Sequence, residues 1–105
     1  MLELNSNSFS ELISAGTPVL VDFWAPWCMP CRIFTPVLED IEGEYVGKIT
    51  FGRVNLDIYS EFATKYEIEN IPTVILFKNG EPVERSSGVR ARQEIVELLD
   101  KHSGQ

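Results

Sequence analysis

Both cysteines of the chain stand in one stretch, Trp24-Ala25-Pro26-Trp27-Cys28-Met29-Pro30-Cys31-Arg32-Ile33-Phe34. Two thiols three positions apart can clamp a metal, staple a loop, or cycle between dithiol and disulfide. A structural zinc site needs four ligands, usually Cys and His. The chain offers two cysteines and one histidine, the distant His102, with no second half-site, so no metal is expected. As a staple, a four-residue loop removes little chain entropy, about 2 kcal/mol before strain. A chain with an ample apolar core does not need it.

The redox couple fits the local pattern better. Cys28 falls where an apolar strand ends and a helix begins. Unpaired N–H groups and the helix dipole favour a thiolate there. Such a position lowers a thiol pKa from ~8.5 to between ~3.5 and ~7.5. A drop to ~7 raises the thiolate fraction at neutral pH from about 3% to about half. Cys31 lies one helical turn further on, within reach of Cys28. Pro30 is tolerated in the first turn, where its missing donor costs little. Asp22 sits six residues before Cys28 in the apolar run Val19-Leu20-Val21-Asp22-Phe23-Trp24. Burial would raise its pKa and make it a candidate proton acceptor.

The elements that must position these groups follow from periodicity. A run apolar on both parities, residues 19–24, reads as a strand covered on both faces. Ser8 and Glu11 fit a capping box for a short helix to about Ala15, ended by Gly16. Residues 28–45 take a helical period, with Ile33, Val37, Leu38, Ile41 and Tyr45 inward and a kink expected at Pro36. A second strand spans residues 49–55. Asp57 is placed to cap a helix to about Tyr66, with Ile58 and Phe62 inward. A third strand, residues 74–77, meets the hairpin signal Asn79-Gly80, so residues 83–87 return antiparallel. Residues 92–101 form a last amphipathic helix. Residues 2–4 could add a strand, and residues 102–105 are expected to fray. Strands separated by helices imply parallel pairing, with the hairpin as an antiparallel edge. The fold class is α/β: a mixed sheet of four to five strands with helices on both faces, in one domain over residues 1–105.

Composition excludes several functions. The chain is 44% hydrophobic and 24% charged, as ordinary globular proteins are. Its formal charge of −7, with scattered basic residues, argues against nucleic acid. No apolar run reaches the roughly 18–20 residues of a membrane span. Residues 1–16 show neither a basic n-region nor a long apolar h-region, so a cytoplasmic location is expected.

The motifs together resemble the thioredoxin family. The matching residues are Val21 to Cys28, Pro30-Cys31, Pro36, Asn55, Asp57, Ile71-Pro72-Thr73, Phe77-Lys78-Asn79-Gly80 and Gly88, over roughly Phe9 to Leu99. The resemblance implies the thioredoxin fold and protein-disulfide reduction by a reversible Cys28–Cys31 disulfide, with no bound cofactor. Cys28 would be the exposed nucleophile and Cys31 the buried resolving thiol. Asp22 would take the Cys31 proton, through water. Ile71-Pro72 would be a cis peptide facing the cysteines, its Ile71 backbone open to an extended substrate. Trp27 and Gly88 would shape the docking surface, and Trp24 would serve either core or site. The partners implied are disulfide-containing proteins and a thioredoxin reductase, of NADPH–flavin or iron–sulfur type, acting on a monomer. An oxidase or isomerase of the same fold, and a binding module with incidental cysteines, are the rival readings.

Two residues depart from the family pattern. Met29 stands where most thioredoxins have glycine, which bears on the redox potential and puts an apolar side chain at the docking rim. Arg53 replaces a common lysine near Asp22. Unlike lysine it keeps its charge when buried, and if it reaches Asp22 it restrains the rise in that pKa.

Overall fold

The computed structural model describes residues 1–102. In chain order it contains β1 (Leu2–Glu3), α1 (Ser6–Ile13), β2 (Val19–Trp24), α2 (Met29–Glu42), β3 (Thr50–Asn55), α3 (Glu61–Lys65), β4 (Thr73–Lys78), β5 (Glu81–Ser87) and α4 (Arg92–Asp100). The sheet order is β1-β3-β2-β4-β5. β1 and β2 flank β3 in parallel, whereas β4 is antiparallel to both β2 and β5.

The antiparallel β2–β4 pair corrects the expectation that only the last hairpin breaks the parallel pattern. A six-residue strand is about 20 Å long. A parallel β4 would need a crossover that carries the chain back that far, and the five residues of α3 rise only about 7.5 Å. The chain therefore re-enters the sheet at the end where β3 left it. Thr73 pairs with Phe23, which places Ile71 and Pro72 beside the end of β2, next to the cysteine segment.

Alternation along the central strands builds two cores. Leu20, Phe51, Val74 and Leu76 face α2 and α4, packing on Phe34, Leu38, Ile41, Ile95 and Leu99. Val19, Val21, Phe23, Val54, Ile75 and Phe77 face α1 and α3, packing on Phe9, Ile13 and Phe62. Phe9 anchors the second core: its ring lies 4.6 Å from Phe62 and 5.4 Å, edge-on, from Phe77. The α2 and α4 helices are tied at their surface by Arg92, which pairs with Asp40 at 2.9 Å and with Glu44.

Local signals shift in three places. The α1 cap is Asn5, not Ser8. The Asn5 side chain accepts from Ser8 N at 2.8 Å and Ser8 Oγ accepts from Asn5 N at 2.9 Å. Starting one turn earlier puts Phe9 and Ile13 in a complete helix. On α2 the inward face is rotated: Cys31 and Phe34 are buried, Val37 is half-buried, and Ile33 is exposed. Starting the stripe from Cys31 would have found this phase. Asp57 does not cap α3, which starts after Ser60, and Ile58 is exposed. The Asn79-Gly80 turn has positive φ at both residues (55° and 82°), the geometry of a tight hairpin. Residues 103–105, part of the segment expected to fray, lie outside the described residues.

Phe9→Ala should cost about 3–5 kcal/mol, since it empties the middle of an aromatic cluster. Urea denaturation followed by far-UV circular dichroism measures this. A loss below 1 kcal/mol would mean the α1 face does not depend on that ring.

Candidate active site

The site forms where β2 stops and α2 begins. Ala25 to Trp27 turn the chain, with Cys28 N donating to Ala25 O at 3.1 Å. Cys28 is the N-cap of α2, in extended conformation, and Pro30 lies in the first turn. A cap side chain must accept from an otherwise unpaired helix N–H. Here the acceptor is the sulfur itself: Cys31 N donates to Cys28 Sγ at 3.2 Å. No acidic side chain sits in the first turn of α2 to oppose a negative charge on that sulfur.

Cys28 and Cys31 are joined as a disulfide, with Cα atoms 5.3 Å apart. Of the three readings of the motif, the metal clamp falls: the sulfurs bond each other. Cys31 is fully buried. Cys28 is only 4% exposed, less than an exposed nucleophile implies. The pair packs with Ala25, Trp24 and Ile71, and these cover all but a sliver of the Cys28 side chain.

Opposite the sulfurs stands the Ile71–Pro72 peptide, which is cis as expected. The Ile71 carbonyl oxygen lies 3.7 Å from Cys28 Sγ. In the disulfide that sulfur has no proton to donate, so this is a contact. Pro72 is buried and Ile71 half-buried. Gly88 N donates to Pro72 O at 2.7 Å, fixing the end of β5 to this loop. Gly88 has φ of 82°, and a Cβ there would meet no atom within 4 Å. Glycine thus serves the backbone conformation and leaves the surface open. Trp27 is 70% exposed and Met29 59%, and both project from the rim. Trp27 Nε1 donates to Asp57 Oδ1 at 3.0 Å. Asp57, read from sequence as a helix cap, is the anchor of this indole. Its position two residues past the end of β3, at the sulfur end of the sheet, was the available signal.

Asp22 is buried on the α2 face of β2, 1% exposed, and its carboxyl oxygens have no hydrogen-bond partner among the described residues. Burial pushes its pKa up from 3.8 to about 7; Arg53 opposes the rise and Glu3 adds to it. Arg53 neighbours Asp22 in register but makes no ion pair with it. It pairs instead with Glu3 on β1, Nε to Oε2 3.2 Å, in an ion pair not aligned as a hydrogen bond. Its guanidinium lies 3.7 Å over the Trp24 ring. His102, by contrast, is far from the site chemistry and faces Glu84 at 2.9 Å.

A sulfur pair set into the mouth of a helix, on a sheet of this order, defines a dithiol–disulfide oxidoreductase of the thioredoxin fold. The family model Thioredoxin matches residues 1–101, and the chain belongs to that family. It is similar to the thioredoxin of Staphylococcus haemolyticus, 41% identical over 102 residues, 97% of each chain. It is similar also to the chloroplastic M-type thioredoxin of Pisum sativum, 45% identical over 94% of this chain and 58% of that one. A solved structure of a mutant thioredoxin from Halobacterium salinarum superposes with a TM-score of 0.90 at 26% identity, covering 99% of this chain and 91% of the other. As a member of the family the protein is a protein-disulfide oxidoreductase. Its redox centre is the Cys28–Cys31 disulfide rather than a bound cofactor, and its partners are a thioredoxin reductase and disulfide-containing proteins.

The raised pKa of Asp22 has a thermodynamic sign. Between pH 3.8 and about 7 the folded chain holds a proton that the unfolded chain has lost. Stability therefore falls as pH rises through that window, by roughly 4 kcal/mol at most. Asp22→Asn should flatten this limb: the variant gains on the parent as pH rises from 4 to 8, and the gap closes again at pH 4. Urea titrations at a series of pH values test it. Parallel curves would show that Asp22 ionises as readily folded as unfolded.

Proposed function

We propose that residues 1–105 form a single domain that acts as a monomeric, cytoplasmic reductase of protein disulfides. The observation that carries this reading is the Cys31 N–H directed at Cys28 Sγ at 3.2 Å. Once the disulfide is reduced, the same N–H and the dipole of α2 favour the Cys28 thiolate.

The steps follow from that sulfur. The Cys28 thiolate attacks one sulfur of a substrate disulfide. A new S–S bond forms, the old one breaks, and the first substrate sulfur leaves as a thiolate that takes up a proton. Asp22, ionised, accepts the proton of the buried Cys31 thiol. The Cys31 thiolate then attacks Cys28 Sγ, closing the Cys28–Cys31 disulfide and releasing the second substrate sulfur. Two electrons and two protons from a thioredoxin reductase, of NADPH–flavin or iron–sulfur type, reopen it. A carboxyl poised near pH 7 suits this proton transfer, since it can both take and return a proton at working pH.

Docking uses the rim around the sulfurs. An extended substrate segment lies along the Ile71 backbone beside Pro72, as an added strand would. Gly88 leaves it room, and Trp27, held by Asp57, walls one side. Pro72 offers neither an N–H nor a thiol that would compete for the sulfurs. Met29 adds a flexible apolar contact that glycine could not, and Pro30 with Met29 tunes the redox couple.

Insulin reduction with dithiothreitol should fall to the uncatalysed rate in Cys28→Ser. Cys31→Ser should still attack but accumulate mixed disulfides, visible as adducts on non-reducing gels. A Cys28→Ser rate equal to the parent would favour a binding module instead. Met29→Gly should reduce the preference for disulfides flanked by apolar residues and shift the redox potential. Unchanged potential together with unchanged rates on all substrates refutes the role given to Met29.

A further inference from the structure

Asp22 belongs to a row that crosses the sheet. Register sets Glu3 of β1 beside Arg53 of β3, and Arg53 beside Asp22 of β2. One cation thus stands between two carboxyl groups on the α2 face. The Arg53 guanidinium is drawn to the outer one. It pairs with Glu3, which is largely exposed, and lies over the Trp24 ring. Neither Asp22 oxygen receives a hydrogen bond from any described residue. The rest of Asp22's surroundings are apolar or already paired. β4 presents Val74 opposite it, and the buried residues on that side of the sheet, Phe34 and Leu38 of α2 with Ile95 and Leu99 of α4, are apolar. The charges of α2 and α4 on that side are paired with others: the Met1 amino group with Glu42 at 3.2 Å, and Arg92 with Asp40 at 2.9 Å. Among the charged groups of the described residues, Arg53 and Glu3 are the ones that act on the Asp22 charge, beside its burial.

We propose that Glu3 is a positioning residue: by holding Arg53 toward the β1 edge and against Trp24, it denies Asp22 a direct ion pair and keeps the buried carboxyl able to bind a proton. The preference has a physical basis. Pairing Arg53 with Asp22 requires ionising a carboxyl that has left water. Pairing it with Glu3 uses a carboxylate that remains hydrated, and the indole face adds a favourable contact to the cation. Because arginine does not lose its proton, any approach to Asp22 would hold that carboxyl in its ionised form. The catalytic consequence rests on the reading of Asp22 as the acceptor of the Cys31 proton. The positioning itself does not.

The test follows the Asp22 side-chain carboxyl by carbon-13 NMR in the oxidised protein at low ionic strength, alongside the pH profile of insulin reduction. Glu3→Gln should lower the Asp22 midpoint by about one pH unit, and Glu3→Lys, which repels Arg53 inward, should lower it further. Arg53→Met should raise it, and in that background Glu3→Gln should lose most of its effect. The acid limb of the reduction profile should move with the midpoint. An unchanged or raised midpoint in Glu3→Gln overturns the proposal. So does an equal shift with and without Arg53, because the field of Glu3 would then act directly. A shifted midpoint with an unmoved acid limb upholds the positioning and refutes Asp22 as the acceptor.

Discussion

The site depends on a sulfur taking the place of an oxygen at a helix cap. Any helix begins with backbone N–H groups that need acceptors. Serine, threonine or aspartate would ordinarily supply one. In this chain Cys28 does so, through the 3.2 Å contact from Cys31 N. Helix start and reactive atom are therefore one structural event. The turn at Ala25 to Trp27, Pro30 in the first turn and the unopposed dipole of α2 all serve to set that cap.

The sheet then brings the remaining parts to the same end. α3 is too short to reverse the chain, so β4 starts beside the end of β2 and delivers Ile71 and Pro72 to the sulfurs. Parity along β2 points Leu20 and Asp22 toward α2, so a carboxyl enters the layer that also holds Cys31. That carboxyl opposes folding at neutral pH, and the two packed aromatic and aliphatic cores offset it. The same burial that makes the group costly is what gives it a pKa of about 7.

Much of this was legible in the sequence. The Val19–Trp24 run, apolar on both parities but for Asp22, located the central strand with its true ends and singled out the one buried acid. The Cys28-Met29-Pro30-Cys31 spacing placed the helix start. What failed was phase and direction. Ile33 and Phe34 are both large and apolar, and periodicity alone did not decide which turned inward. Nor did the helical signal between β3 and β4 reveal a helix too short for a parallel crossover. The destination of Arg53 was out of reach for a different reason. It depends on Glu3, fifty residues away in sequence, which register alone makes a neighbour.

The margins of the sheet have a consequence for a protein that acts on other polypeptides. One margin is β1, two residues long. The other is β5, which begins with Glu81 and Pro82, slips register near Leu76 and Phe77, and ties Arg85 to the Tyr66 and Glu67 carbonyls. Proline, charge and a bulge are the features that keep a strand from templating another. On the docking mode proposed above, a visiting polypeptide pairs at the short stretch beside the sulfurs and finds no ledge on which to continue. The sheet therefore presents little free backbone to a passing extended chain, which lowers its tendency to template aggregation at its own edges.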